Sequence, residues 1–195
     1  NQLWEEEGLK KLTALKNSTD MLICAEDLGM VPAMVESVLD NLQMLALEVQ
    51  RMPKKAGETF SNPAFSPYLS VVTPGTHDMA TLREWWEEDK ASIQQFYNSQ
   101  LGHNGDAPFY AEPWICRDIV KQHLQSPAMW AVFLLQDLLA MDDGLRKENP
   151  KEERINNPAD PDHYWNYRMH ITLEELAAQP GFLLTLKHMV IESGR

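Results

Sequence analysis

The chain has 195 residues, which suits about one domain. Its 17 Lys and Arg stand against 29 Asp and Glu, giving a formal net charge of −12. That balance excludes nucleic acid and anionic lipid as expected partners, because both are held largely by cations. With 44% hydrophobic residues, six tryptophans and no apolar run of about 20 residues, the composition is that of a globular chain outside the membrane.

Residues 4–16 read as a helix with Leu9, Leu12 and Leu15 on one side. A turn at Asn17-Ser18-Thr19-Asp20 leads into Met21-Leu22-Ile23-Cys24-Ala25. That run is too short for an independent helix and suits a buried strand. Glu26-Asp27-Leu28-Gly29 ends it, and Val35, Val38, Leu39 and Leu42 give helical spacing over 32–42. Residues 44–50 are a second strand candidate, and the proline-rich segment 53–68 is a long ordered loop. Residues 68–73 form a third strand candidate, followed by Pro74-Gly75-Thr76-His77-Asp78. A helix over 80–89 carries Trp85 and Trp86, and another spans about 114–125 after Glu112-Pro113. Ala128 to Leu135 is a fourth strand candidate ending at Gln136-Asp137. A polar stretch over 142–168 holds Tyr164, Trp165 and Tyr167. Thr172-Leu173-Glu174-Glu175 has the pattern of a helix-starting capping box, and a last helix runs over 182–192. Apolar strands alternating with helices predict a parallel sheet with crossover helices.

Three strand candidates end in chargeable residues: Glu26-Asp27, His77-Asp78 and Gln136-Asp137. In parallel α/β folds the ligand site lies at the C-terminal strand ends, so the three clusters are expected at one mouth. Separate carboxylates there suit acid–base work on a neutral polar substrate. Glycoside cleavage is one case, with one carboxyl protonating the leaving group and a second carboxylate supporting developing positive charge. The aromatic loops 60–68 and 163–169 suit the apolar faces of sugar rings. Each feature also has a plain reading. Asp27 before Leu28-Gly29 fits a helix cap, His77 fits a locally bonded loop residue, and the Trp85-Trp86 pair fits helix packing. The remaining histidines lack metal-ligand spacing, so no metal is expected. Two distant cysteines, Cys24 and Cys116, build no disulfide framework, and a cytoplasmic location is expected. Nucleotide-binding glycine motifs and the serine-hydrolase elbow are absent from the sequence.

The motifs Ala25-Glu26-Asp27-Leu28-Gly29 and Gly75-Thr76-His77-Asp78 resemble those of the 4-alpha-glucanotransferases, the amylomaltase or disproportionating-enzyme family (glycoside hydrolase family 77). Gln50-Arg51-Met52-Pro53, residues 81–89, Arg154-Ile155-Asn156-Asn157-Pro158 and residues 164–169 continue the resemblance over nearly the whole chain. Met79-Ala80-Thr81 after Asp78 points to the branch that holds the large cytosolic plant disproportionating enzymes. The resemblance implies a (β/α)8 barrel and a retaining double displacement that moves α-1,4-glucan segments between maltooligosaccharides, with no cofactor. It implies that Glu26 is the general acid/base, Asp78 the transition-state stabiliser and His77 a sugar contact. Asp27, Gln50 and Gln136-Asp137 would support them at the substrate site.

The family's nucleophile, an aspartate in an Arg-x-Asp-His motif after the fourth strand, has no match in these residues. The resemblance therefore implies that residues 1–195 supply the C-terminal half of the barrel, strands five to eight with their helices. The chain opens on Asn1 rather than methionine, consistent with a piece of a longer protein. Alone it is expected to be inactive, because retaining transfer needs both carboxylates. Its open strand edges would seek the missing N-terminal half or another copy. Two alternatives stand beside this reading: a non-catalytic carbohydrate-binding fragment, and part of another α-glucan hydrolase.

Overall fold

A computed structural model describes residues 2–29 and 31–195. The chain divides into two compact units. The first comprises Asn1–Thr73 with Ser126–Val132, and the second comprises Pro74–Gln125 with Phe133–Arg195.

The first unit holds the sheet. Helix α1 (Gln2–Asn17) has no buried residue, and α2 (Met34–Asn41) buries Val38 and Leu39. A tight turn follows α2, with Gln43 in the left-handed region at φ 52° and Met44 N–H returned to Leu39 O. Three parallel strands come next: β1 (Ala46–Val49), β2 (Ser70–Thr73) and β3 (Trp130–Ala131), in the order β1-β2-β3. Ala46 pairs with Ser70 and Val49 with Thr73, while Val71 pairs with Trp130 and Val72 with Ala131. Met44, Leu45, Val49 and Val72 are almost fully buried. The loop between β1 and β2 contains one 3-10 turn, Pro63–Phe65, capped by the Asn62 side chain.

Two strand expectations shrink. Residues 21–25 make a single parallel bridge, Cys24 with Leu45, because the next donor along β1, Leu47 N–H, goes to the Asp27 side chain instead of the backbone. Its outer residues Met21 and Leu22 are exposed. The 128–135 run gives only the two residues of β3, and Leu135–Leu139 becomes helix α6. A short apolar run does not distinguish a strand from a buried helix turn, and here it serves both in succession.

The second unit is helical: α3 (Leu82–Glu88), α4 (Lys90–Ser99), α5 (Pro113–Leu124), α6, a 3-10 turn at Pro150–Glu153, α7 (Leu173–Ala177) and α8 (Pro180–Glu192). Its core packs Trp86, Ile93, Phe96, Ile115, Cys116 and Ile119. Trp85 and Trp86 meet Phe96 edge-on with ring centroids 5.0 and 6.3 Å away, so the tryptophan pair packs helices. Helix α4 escapes the sequence reading, although Asp89 caps it at Ala91 and Ser92 N–H and Ile93, Phe96 and Tyr97 bury one face. The capping box at Thr172 and Glu175 is present. Among the described residues no helix is long and apolar enough to cross a membrane.

Candidate active site

Each unit carries one group of the expected site residues: Glu26, Asp27 and Gln50 in the first, His77, Asp78 and Asp137 in the second.

In the first unit the segment Ile23–Ala25 runs parallel to β1. Leu45 N–H donates to Ile23 O at 2.9 Å, and Ala25 N–H donates to Leu45 O at 2.8 Å. The next rung of a parallel ladder would join Leu47 N–H to Ala25 O. Leu47 N–H instead donates to Asp27 Oδ1 at 2.7 Å. The backbone thus leaves the sheet at Ala25, and the Asp27 side chain takes over its hydrogen bond. Lys54 Nζ, from the loop after β1, donates to Asp27 Oδ2 at 2.6 Å and to Glu48 Oε1 at 2.8 Å. Asp27 is no helix cap, since α2 starts seven residues later behind Ala33. Glu26 sits between the last backbone rung and this side-chain anchor. It is exposed, with no hydrogen bond or ion pair among the described residues. Gln50 follows β1, is 2% exposed, and joins β2 through its N–H to Thr73 O at 3.2 Å. A cavity of about 1090 Å³ opens on this unit, lined by Asp27, Glu48 and Lys54 with Met44, Phe60 and Phe65. Phe60 and Phe65 of the 60–68 loop are among its lining residues. Burial, and secondarily the Asp27 charge, raises the Cys24 thiol above its ordinary range.

In the second unit Asp78 is bonded directly. Asn156 Nδ2 donates to Asp78 Oδ1 at 2.6 Å, and His77 Nε2 lies 3.5 Å from the same oxygen. Asn156 N–H also donates to His77 O at 3.1 Å, so two bonds tie residue 156 to the His77-Asp78 turn. Thr76 Oγ1 accepts from Asp78 N–H within that turn. The His77 ring lies 5.2 Å from Trp165, and Tyr164 and Trp165 are largely exposed. Behind Asn156 the chain of bonds continues. Arg154 Nε donates to Asn156 O at 3.1 Å, and Arg154 Nη1 meets Glu84 Oε1 at 3.2 Å.

Asp137 departs from expectation. It lies in the first turn of α6 rather than at a strand end, and it is fully buried. Its Oδ1 accepts from Leu82 N–H at 2.8 Å, completing the start of α3, where Thr81 makes no side-chain cap. A buried ion pair stands nearby in the same unit. Arg83 Nη1 donates to Glu153 Oε1 and to Lys147 O, both at 2.6 Å, and Lys147 N–H reaches the same Glu153 oxygen at 3.2 Å. Burial pushes the Glu153 carboxyl up, with Arg83 pulling it down. Cys116 is buried, and its thiol is pushed up to about 12, chiefly by burial.

Sequence reasoning left Lys54 and Asn156 without roles. Lys54 reads as an ordinary surface lysine in Pro53-Lys54-Lys55. Asn156 sits in a motif noted only for its resemblance, and nothing in the sequence pairs it with a residue 78 positions earlier.

The family model for 4-alpha-glucanotransferase matches residues 1–173. The chain is 44% identical over 193 residues to 4-alpha-glucanotransferase DPE2 of Oryza sativa subsp. japonica, covering 99% of this chain and 20% of that protein. It is 32% identical over 187 residues to a 4-alpha-glucanotransferase of Chlamydia pneumoniae, covering 91% of this chain and 34% of the relative. The solved amylomaltase of Streptococcus agalactiae, in complex with acarbose, is similar in fold, with a TM-score of 0.72 at 18% identity over 96% of this chain and 35% of that one. The chain thus spans a fifth to a third of the length of these proteins.

Proposed function

This chain belongs to the 4-alpha-glucanotransferase family, and from that premise we propose that it forms part of a longer enzyme that transfers α-1,4-glucan segments between maltooligosaccharides with retention. In this reading Glu26 is the general acid/base, Asp78 the transition-state stabiliser and His77 a sugar contact. The carrying observation is where these residues fall in a chain of this family. Glu26 follows the last parallel bonds at Ala25, and His77-Asp78 follow β2 by a short turn. Strand C-terminal ends are where parallel α/β enzymes place chemistry.

The step requires a second carboxylate as nucleophile, supplied by the rest of the enzyme. Glu26 gives its proton to the glycosidic oxygen as the bond from C1 to that oxygen breaks. The nucleophile bonds to C1, and the shortened glucan leaves. Glu26 then takes the proton of an incoming sugar hydroxyl, whose oxygen displaces the nucleophile and restores the original configuration. Asp78 faces the positive charge that builds on the ring. Asp27, Gln50 and Asp137 are supporting groups in this reading. Gln50 and Asp137 are too buried to touch a glucan, and Asp27 spends both oxygens within the protein.

The four parallel segments, Ile23–Ala25 with β1, β2 and β3, correspond in this reading to strands five to eight of a (β/α)8 barrel. Their sequential neighbour order supports it. Exposed Met21 and Leu22 beside the first segment, and exposed Trp130 and Val132 at the last, are surfaces the remaining strands would cover. The test is product analysis of the intact enzyme on maltotriose. Transfer yields glucose together with chains longer than the substrate. Shortening alone would replace the transferase reading with a hydrolase. The 195-residue chain by itself is expected to give neither product and to associate as its concentration rises.

A further inference from the structure

We infer that Lys54 is a positioning residue for Glu26, acting through the carboxylate of Asp27; this rests on the acid/base role proposed above for Glu26. Among the described residues Glu26 has no bond of its own to hold it. Its placement is set by its two flanks. On one side Ala25 is the last residue bonded to β1 through its backbone, and on the other Asp27 is bonded to β1 through its side chain. The second anchor is the weaker by nature, since a side chain has rotamers that a ladder rung lacks. Its orientation is fixed by Lys54, whose Nζ donates to the oxygen that Leu47 N–H leaves unused.

The charges make Lys54 necessary. Asp27 and Glu48 both touch the same Nζ, and their side chains are only 7% and 20% exposed. With Lys54 the three groups sum to one negative charge. Without it two largely buried carboxylates face one another with no cation between them. They would separate, and the free way for Asp27 to move is off Leu47 N–H. Glu26 would move with it, because it is the adjacent residue on a segment that has already left the sheet. A general acid must lie within hydrogen-bond reach of the leaving oxygen, so a displacement of about 1 Å is costly.

Loss of acid positioning has a signature that general damage lacks. A glycosyl fluoride needs little protonation to leave, and azide needs no base to attack. Fluoride release from α-maltosyl fluoride in the presence of azide therefore bypasses the acid/base in both half-reactions, whereas maltotriose disproportionation needs it twice. In the intact enzyme, Lys54→Met is expected to lower kcat on maltotriose by about 100-fold, with KM within about twofold. Azide-assisted fluoride release should stay within about threefold of wild type, and Lys54→Arg should recover most of the loss. Asp27→Asn, which keeps the size and one acceptor oxygen, should show the same selective loss and serves if Lys54→Met fails to fold. Equal losses on both donors would overturn the inference, and so would an unchanged kcat in Lys54→Met. Glu26→Gln is the control for the underlying assignment. If that variant keeps wild-type transfer, the acid/base reading itself falls; if it loses transfer but keeps azide-assisted release, a negative Lys54 result counts against Lys54 alone.

Discussion

The two corners that hold the proposed catalytic carboxylates are built in opposite ways. Asp78 is gripped directly by the Asn156 amide at 2.6 Å, with the His77 ring 3.5 Å from the same oxygen. Among the described residues nothing grips Glu26. Its neighbour Asp27 takes both the backbone bond and the ion pair, and Glu26 takes its position from that anchor. The difference matches two different tasks. A group that must give and take a proton is hindered by a strong fixed donor. A group that must present negative charge to a cation-like ring is helped by donors that fix its orientation. Both corners reach their anchor through a loop residue far along the chain, Lys54 in one and Asn156 in the other.

The sharpest way to break this comparison is to remove the ungripped carboxyl. Glu26→Gln in the intact enzyme is expected to lower maltotriose transfer by about 10²- to 10⁴-fold, the span general acid–base catalysis supplies. Thermal unfolding should be nearly unchanged, because no bond within the described residues is lost. A large drop in thermal midpoint would mean that Glu26 has a structural partner, and the contrast with Asp78 would fail.

The next effect is on stability and lies behind the gripped corner. Arg83 and Glu153 are 8% and 3% exposed at the side chain, and their bond is 2.6 Å long. Arg83→Met leaves the Glu153 carboxyl buried without its cation, a loss of about 3–5 kcal/mol. Urea unfolding of wild type and variant would measure it. A change under about 1 kcal/mol would mean that the backbone donor at Lys147 and the Thr81 hydroxyl suffice for Glu153.

Asn156→Ala tests the grip itself. It removes the 2.6 Å donor from Asp78 while leaving the backbone bond from residue 156 to His77 O in place. Transfer should fall about 10- to 100-fold, the worth of one hydrogen bond to a charged group. The loss should fall on kcat, since the proposed role of Asp78 is exercised in the transition state. A change confined to KM would move Asn156 from holding Asp78 to touching the glucan.

These two corners also show what the sequence made legible. The breaks at Glu26-Asp27 and at His77-Asp78 were visible, because an apolar run that stops at charged residues announces itself. The parallel pairing was visible too, since short apolar strands separated by helices leave few other arrangements. The anchors were not visible. Lys54 lies 27 residues from Asp27 in the chain and Asn156 lies 78 from Asp78, and both pairings depend on loop paths that carry no periodic signal. Asp137 misled for a related reason. The apolar run before it continued past the two paired residues of β3, and its tail turned into α6. An acid that looked like the end of a strand was the first-turn residue of a helix, spent on the backbone of Leu82.

The smallest effect lies at the far end of the bonds behind Asp78. Glu84 holds Arg154, which in turn donates to Asn156 O. Burial raises the Glu84 carboxyl above its ordinary value near 4.5; Arg154 and Lys151 pull it down and Glu88 pushes it up. A carboxyl raised on folding binds its proton more tightly in the native state. Its contribution to stability is therefore complete below about pH 4.5 and declines as pH rises towards the raised folded value. Glu84→Gln has nothing to titrate there. Its thermal midpoint should improve relative to wild type between pH 4 and pH 7, by a degree or two at most for one partly offset group. If the variant instead falls further behind as pH rises, the pairing with Arg154 outweighs the burial. Glu84 would then be a true anchor of the Asp78 corner, and ionised Glu84 would be to Arg154 what Asp27 is to Lys54.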